Sequence, residues 1–98
     1  MKLTELEPRW ITSDVFIFRN PTGGRDWLSC KRAAVPHQHR FFYEHCPDLV
    51  GQPIVGTKDE FFWNFPAGGD FATLTVTPSI DASASGNWHG HITNGEIK

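Results

Sequence analysis

Hydrophobic residues in this chain come in short blocks separated by turn formers. Val15-Phe16-Ile17-Phe18 is a β-branched and aromatic run closed by Asn20-Pro21-Thr22-Gly23-Gly24, the pattern of a strand followed by a turn. Trp27-Leu28-Ser29-Cys30 resumes the apolar run and ends at Lys31-Arg32. Residues 15 to 31 therefore predict a hairpin that loops through the Pro-Thr-Gly-Gly segment. The segment 37–46, opening His37-Gln38-His39-Arg40-Phe41-Phe42-Tyr43-Glu44-His45, fits a short helix after Pro36 or an aromatic strand, because its periodicity selects neither. Pro47, Gly51, Pro53 and Gly56 make the following stretch a loop, with at most a brief strand at Ile54-Val55.

The second half begins with the most hydrophobic block, Glu60-Phe61-Phe62-Trp63-Asn64-Phe65. It predicts a central strand, stopped by Pro66-Ala67-Gly68-Gly69-Asp70. From Phe71 to Thr77, Leu74 and Val76 alternate with Thr73, Thr75 and Thr77, the period of two of a half-buried strand that Pro78 should end. A small polar loop, Asp81 to Gly86, leads to Trp88-His89-Gly90-His91-Ile92-Thr93, and Asn94-Gly95 is a two-residue hairpin signal. There is no internal repeat and no heptad. The expected fold class is mainly β, a small antiparallel β-sandwich or partly open barrel with at most one short helix near 37–46.

Length and composition narrow this picture without naming an activity. The 98 residues make one domain, 1–98. A chain of this size keeps about 5,600 Å² of surface when folded, enough burial for one modest core. Four Trp, eight Phe and one Tyr make that core aromatic. Nine Lys and Arg against eleven Asp and Glu, with both signs scattered, argue against a nucleic-acid partner. No window reaches the roughly 18 apolar residues of a membrane span, and Met1 to Pro8 hold no apolar stretch resembling a signal sequence. A soluble cytoplasmic protein is expected. Cys30 and Cys46, outside any Cys-x-x-Cys pair, are expected as two free thiols.

Histidine supplies the first candidate chemistry. Four of the five histidines form two His-x-His pairs, His37/His39 and His89/His91. On a strand, i and i+2 share a face, so two such strands side by side offer four imidazoles to a zinc or copper ion. Should the first pair be helical, its rings diverge by about 200°; solvent exposure explains the second pair equally well. Ser79, Ser83 and Ser85 lie near His89 in sequence, but no Gly-x-Ser-x-Gly elbow is present. His91-Ile92-Thr93 is half of the paired His-x-Thr signature of cyclic-phosphodiester hydrolases, without the second half. An aromatic stacking platform for single strands needs a basic groove, and only Arg32 and Arg40 stand near the histidine-aromatic segment. Core packing is the expectation for Phe16, Phe18, Trp63 and Phe65.

Leu74-Thr75-Val76-Thr77-Pro78-Ser79-Ile80, followed by Trp88-His89-Gly90-His91-Ile92-Thr93-Asn94-Gly95, resembles a family of small proteins of unknown function from phages and prophages, some of which carry the label "ammonia monooxygenase". In that family a Thr-x-x-Pro-Ser-Ile strand leads to a Cys/Trp-His-x-Phe-Ile-x-x-Gly strand, and a Trp-bearing strand precedes both, as Trp63-Asn64 does here. The resemblance covers the C-terminal third and is weak in the first half. Members commonly open with Phe-x-Cys-Pro-x-Cys-Gly and a nearby histidine, a knuckle that looks zinc-binding and would be completed by the C-terminal Cys-His.

Here the corresponding stretch is Phe18-Arg19-Asn20-Pro21-Thr22-Gly23-Gly24, with Trp27 at the histidine position. Asn20 and Gly23 stand where the thiolates would be, and Trp88 occupies the third cysteine position. Of the knuckle only His89 remains, and one imidazole does not hold a structural zinc. The resemblance thus implies a metal-free relative, with no cofactor, whose turn is held by Pro21, Gly23 and Gly24 and by packing of Trp27 and Trp88. The expected function is a phage- or prophage-derived binding protein without catalytic activity that engages a host or virion protein. Its contact surface is expected at exposed aromatics and at an edge formed by Trp88, His89, His91 and Asn94. One alternative is a metal-binding protein or metal-dependent hydrolase using His37, His39, His89 and His91. Another is a structural virion or assembly component, which would form a homo-oligomer.

Overall fold

The computed structural model describes residues 1–34, 39–55, 62–81 and 88–98. Among the described residues it is mainly β, with two sheets, one short α-helix and two single-turn 3-10 helices, and neither sheet closes into a barrel. The larger sheet has the order β1 (Arg9–Thr12), β2 (Val15–Arg19), β3 (Trp27–Lys31), β4 (Ile54–Val55). The first three strands are antiparallel neighbours, and β4 runs parallel to β3 over two residue pairs. The smaller sheet has the order β5 (Val76–Asp81), β6 (His89–Thr93), β7 (Glu96–Ile97), all antiparallel. The helix, α1, spans His39–His45, so the ambiguous segment is helical over those residues; residues 35–38 lie outside the described part.

The β2–β3 hairpin forms as the apolar runs predict, with Arg19 opposite Trp27 and Val15 opposite Lys31. Every residue of β2 except Arg19 is buried, as is every residue of β3, because this hairpin is covered on both faces. On one face Phe16, Phe18, Leu28 and Cys30 meet Val76, Ile80 and Ile92 of the smaller sheet, together with Trp63, Phe65, Leu74 and Trp88. On the other, Val15, Ile17 and Trp27 pack with Phe42 and Cys46 of the helical segment and with Leu49. The result is three layers: helix, four-stranded sheet, three-stranded sheet. Continuous apolar runs suit such a middle layer, since both directions of side-chain alternation point into a core. The accessible surface is 5456 Å², close to the size expected of a folded chain this long.

Two strand expectations are corrected. The described part of the expected central strand Glu60–Phe65, residues 62–65, is not one: Asn64 makes only an isolated bridge to Thr77. The reason is that its backbone divides between the sheets. The Trp63 N–H donates to the Lys31 carbonyl at 2.9 Å, while the Asn64 N–H donates to the Thr77 carbonyl at 2.7 Å. The segment is a strap joining the sheets, and its Trp63 and Phe65 side chains fill the space between them. Likewise, the alternating stretch from Phe71 does not become a strand until Val76. Asp70 captures it in a turn, accepting from the Ala72 N–H on its side chain at 2.9 Å and from the Thr73 N–H on its carbonyl at 3.1 Å. Pro78 does not end β5 either. It sits where the β5–β6 register slips, between Val76 and Ile80, a bulge that needs no N–H from proline.

The Asn94-Gly95 turn joins β6 to β7 as its dipeptide predicts, with φ of 49° and 77°, the mirror-image geometry that matches strand twist. Gly95 is obligatory for a second reason: a Cβ there would lie 2.2 Å from the Ala72 carbonyl oxygen. The outer edge of β7 is covered by the N-terminal residues, with a Lys2–Glu96 bridge and an Ile97 N–H to Met1 carbonyl bond of 2.8 Å.

Candidate functional site

The site is built on β6. Its burial alternates strictly: His89, His91 and Thr93 are exposed, while Gly90 and Ile92 are buried. Because β6 is the middle strand of its sheet, these side chains stand on a sheet face and not at a sheet edge, which corrects the expected edge. Asp81 of β5, also exposed, lies directly opposite His89. On the other side, the Lys98 N–H donates to the His91 carbonyl at 2.9 Å, and Thr93 faces Glu96. Asn94 caps the end of this face, its N–H donating to Thr75 Oγ1 at 2.9 Å. The outer face is thus polar and carries both signs of charge, and its backbone is held by β5 and β7.

Trp88 takes no part in that face. It is 8% exposed and points inward, meeting Phe18 edge-on with ring centroids 6.1 Å apart. Its indole lies against Gly90: a Cβ on Gly90 would come within 2.4 Å of the ring. The Trp-His-Gly-His sequence therefore has a physical logic. The glycine makes room for the tryptophan on the inside, and the two histidines are displayed on the outside.

His39 opens α1, but its side chain lies outside the described part, as does all of His37. The structure therefore brings together His89 and His91, and the four-imidazole arrangement falls on residues that are not described. No three His, Cys, Asp or Glu side chains converge as a metal site among the described residues. His45, the fifth histidine, bonds the Phe41 carbonyl on its own helix at 2.9 Å.

The turn at Asn20 to Gly24 is held by hydrogen bonds. The Asn20 carboxamide oxygen accepts from the Thr22 N–H at 3.0 Å and from Thr22 Oγ1 at 2.7 Å, and the Gly23 N–H donates to the Asn20 carbonyl at 3.0 Å. Gly23 and Gly24 both adopt positive φ, which costs glycine least. The expected joint packing of Trp27 and Trp88 is not found. The two residues belong to opposite faces of the larger sheet, Trp27 facing the helix and Trp88 the smaller sheet. Alternation explains this: Trp27 and Leu28 are neighbours in β3 and must point opposite ways.

Sequence reasoning missed what Trp27 does. The Arg9 and Arg19 guanidiniums lie 5.2 Å and 4.2 Å from its ring centroid. Arg9 also forks onto Asp48 at 3.0 and 3.1 Å, and Arg19 bonds Glu7 at 3.1 Å. The Trp27 indole N–H reaches Gln52 Oε1 at 2.8 Å. The only sequence signal was parity, since Arg9 and Ile11 on β1 and Ile17 and Arg19 on β2 fall on the helix-side face.

The two cysteines both lie in the core. Both are free and buried, Cys30 between the sheets and Cys46 on the helix side, so the sheet separates them. Burial pushes the Cys30 thiol far above its ordinary range. The aromatic residues expected in the core are there, with Phe16, Phe18, Trp63 and Phe65 all buried. Arg40 is engaged by Glu44 at 2.8 Å and Arg32 by Asp14 at 3.7 Å. The large hydrophobic residues exposed among the described part are Met1, Val50 and Phe62. No helix of the described residues is long and apolar enough to cross a membrane. Comparison with known protein families, with curated proteins and with solved structures found no match to this chain.

Proposed function

We propose that this chain is a small binding domain without catalytic activity, of phage or prophage origin, that engages a host or virion protein through the outer face of β5–β6–β7. The observation that carries the binding reading is the display of His89, His91 and Thr93 on one exposed face of a central strand whose opposite face is closed by Trp88, Gly90 and Ile92. Imidazole and hydroxyl groups there offer donors and acceptors whose positions are fixed by the sheet, which lowers the ordering cost of an interface. Asn94 extends the contact surface at the turn, and Asp81 and Glu96 give it charge for selecting a partner. Trp88 acts from behind, as a support. The phage origin rests on the resemblance of residues 74–80 and 88–95.

Photo-crosslinking tests the reading. A benzophenone amino acid placed at His91 in the tag-free chain is expected to capture one specific protein in lysate of the source cells. The same probe at Val50, on the opposite layer, is expected to capture none. Equal capture at both positions, or capture at Val50 alone, would place the contact elsewhere.

A further inference from the structure

We propose that His89 and His91 form a two-imidazole chelate for an exchangeable divalent cation of the zinc or copper type on the outer face of β6. The two residues are exposed on the same side of one strand, about 6.6–6.8 Å apart along it by the strand rise. The residue between them, Gly90, faces inward, so no side chain separates the two rings. Imidazole nitrogens that swing toward one another can share an ion at about 2.0–2.1 Å each.

The backbone beneath the pair is fixed from three sides. β5 pairs with His89 through Asp81 and with Gly90 through Ile80. The C-terminal strand holds the His91 carbonyl through the Lys98 N–H. The Trp88 ring lies directly against Gly90 from below. A chelate built on such a strand needs only side-chain rotation to bind, so little order is lost on binding.

The donor type selects the ion. Neutral imidazole suits zinc and copper, whereas magnesium and calcium take oxygen donors. Three protein donors do not converge here, so the ion keeps solvent in its remaining positions and exchanges freely. The chelate uses the same two histidines as the protein-contact face but does not rest on that reading, because metal binding to the isolated chain needs no protein partner.

The test uses the tag-free, chelator-treated chain titrated with Zn2+ alone and with Cu2+ alone, followed by the ring nitrogen resonances of histidine. Saturable binding of one ion per chain is expected, with Zn2+ shifts and paramagnetic Cu2+ broadening strongest at the His89 and His91 rings and no response to Mg2+. Losing an outer-shell partner already costs about 10–100-fold in metal affinity. H89A and H91A are therefore each expected to weaken binding at least about tenfold, and H45A to leave it unchanged. Both histidines are exposed, so these variants should fold, which their amide spectra will show. Saturation only at millimolar metal, unchanged affinity in H91A, or an equal loss in a chain carrying H37A and H39A would overturn the assignment.

Discussion

At the scale of single residues, Gly90 is the position on which the outer and inner faces of β6 both depend. Replacing it with alanine puts a methyl group into the Trp88 ring, 2.4 Å from Cζ2, and the ring has Phe18 against it. Overpacking of this kind costs about 1–3 kcal/mol. Urea denaturation of G90A should show a loss in that range, and a stability equal to the parent would mean that Trp88 does not pack as described. Cys30 makes a second residue-level prediction. With no exposed surface and its thiolate disfavoured by burial, it should remain unmodified by thiol reagents in the native protein and react only on unfolding. Rapid native labelling at Cys30, read by peptide mass, would contradict that placement.

At the scale of elements, the turn at 20–26 is kept by hydrogen bonds centred on Asn20. Asn20 is buried and its one carboxamide oxygen serves two donors from Thr22. Asn20→Ala leaves those donors to find other partners, at a cost of about 1–3 kcal/mol. A thermal melt of N20A that superimposes on the parent would remove Asn20 from this role.

The same scale shows which parts of the fold could be read in advance. The 15–31 hairpin and the Asn94-Gly95 turn were legible because local signals, turn residues and β-branched runs, agree with tertiary pairing. The strap at Trp63-Asn64 was not. Its hydrophobicity is real, but its N–H groups serve two different sheets, a division that no local pattern encodes. Phe71 to Thr77 misled for a related reason, since its alternation is that of a strand while Asp70 folds its first half into a turn. Of the candidate site, His89 and His91 were visible as a pair, and their exposure followed from parity. Trp88 was misplaced on the contact surface because an aromatic residue beside exposed histidines looks the same in sequence whether it turns in or out. The Arg9–Trp27–Arg19 stack was hidden because its members come from three strands.

At the scale of the whole molecule, stability is carried by the inter-sheet core and not by the outer face of β6. Phe16 sits at the centre of the inter-sheet cluster, with Trp10, Phe18, Phe65 and Phe71 all within 5.8 Å ring to ring. Phe16→Ala should cost about 3–5 kcal/mol, a large share of the total for a domain of this size. His89→Ala and His91→Ala, both on the open face, should stay within about 0.5 kcal/mol of the parent. Denaturation midpoints of the three variants check this division, which fails if either histidine variant approaches the loss at Phe16. A face whose residues contribute little to stability is free to be shaped by what it binds.

That division leads to the most direct examination of the binding face. Isotope-labelled, tag-free chain placed in unlabelled lysate of the source cells reports every backbone position at once by amide resonances. The binding account predicts broadening concentrated at Asp81, His89, His91, Thr93 and Asn94, relieved in a chain carrying H89D and H91D. Broadening centred on Val50 or Phe62, or an unperturbed β6 beside perturbed helix-side residues, would contradict it.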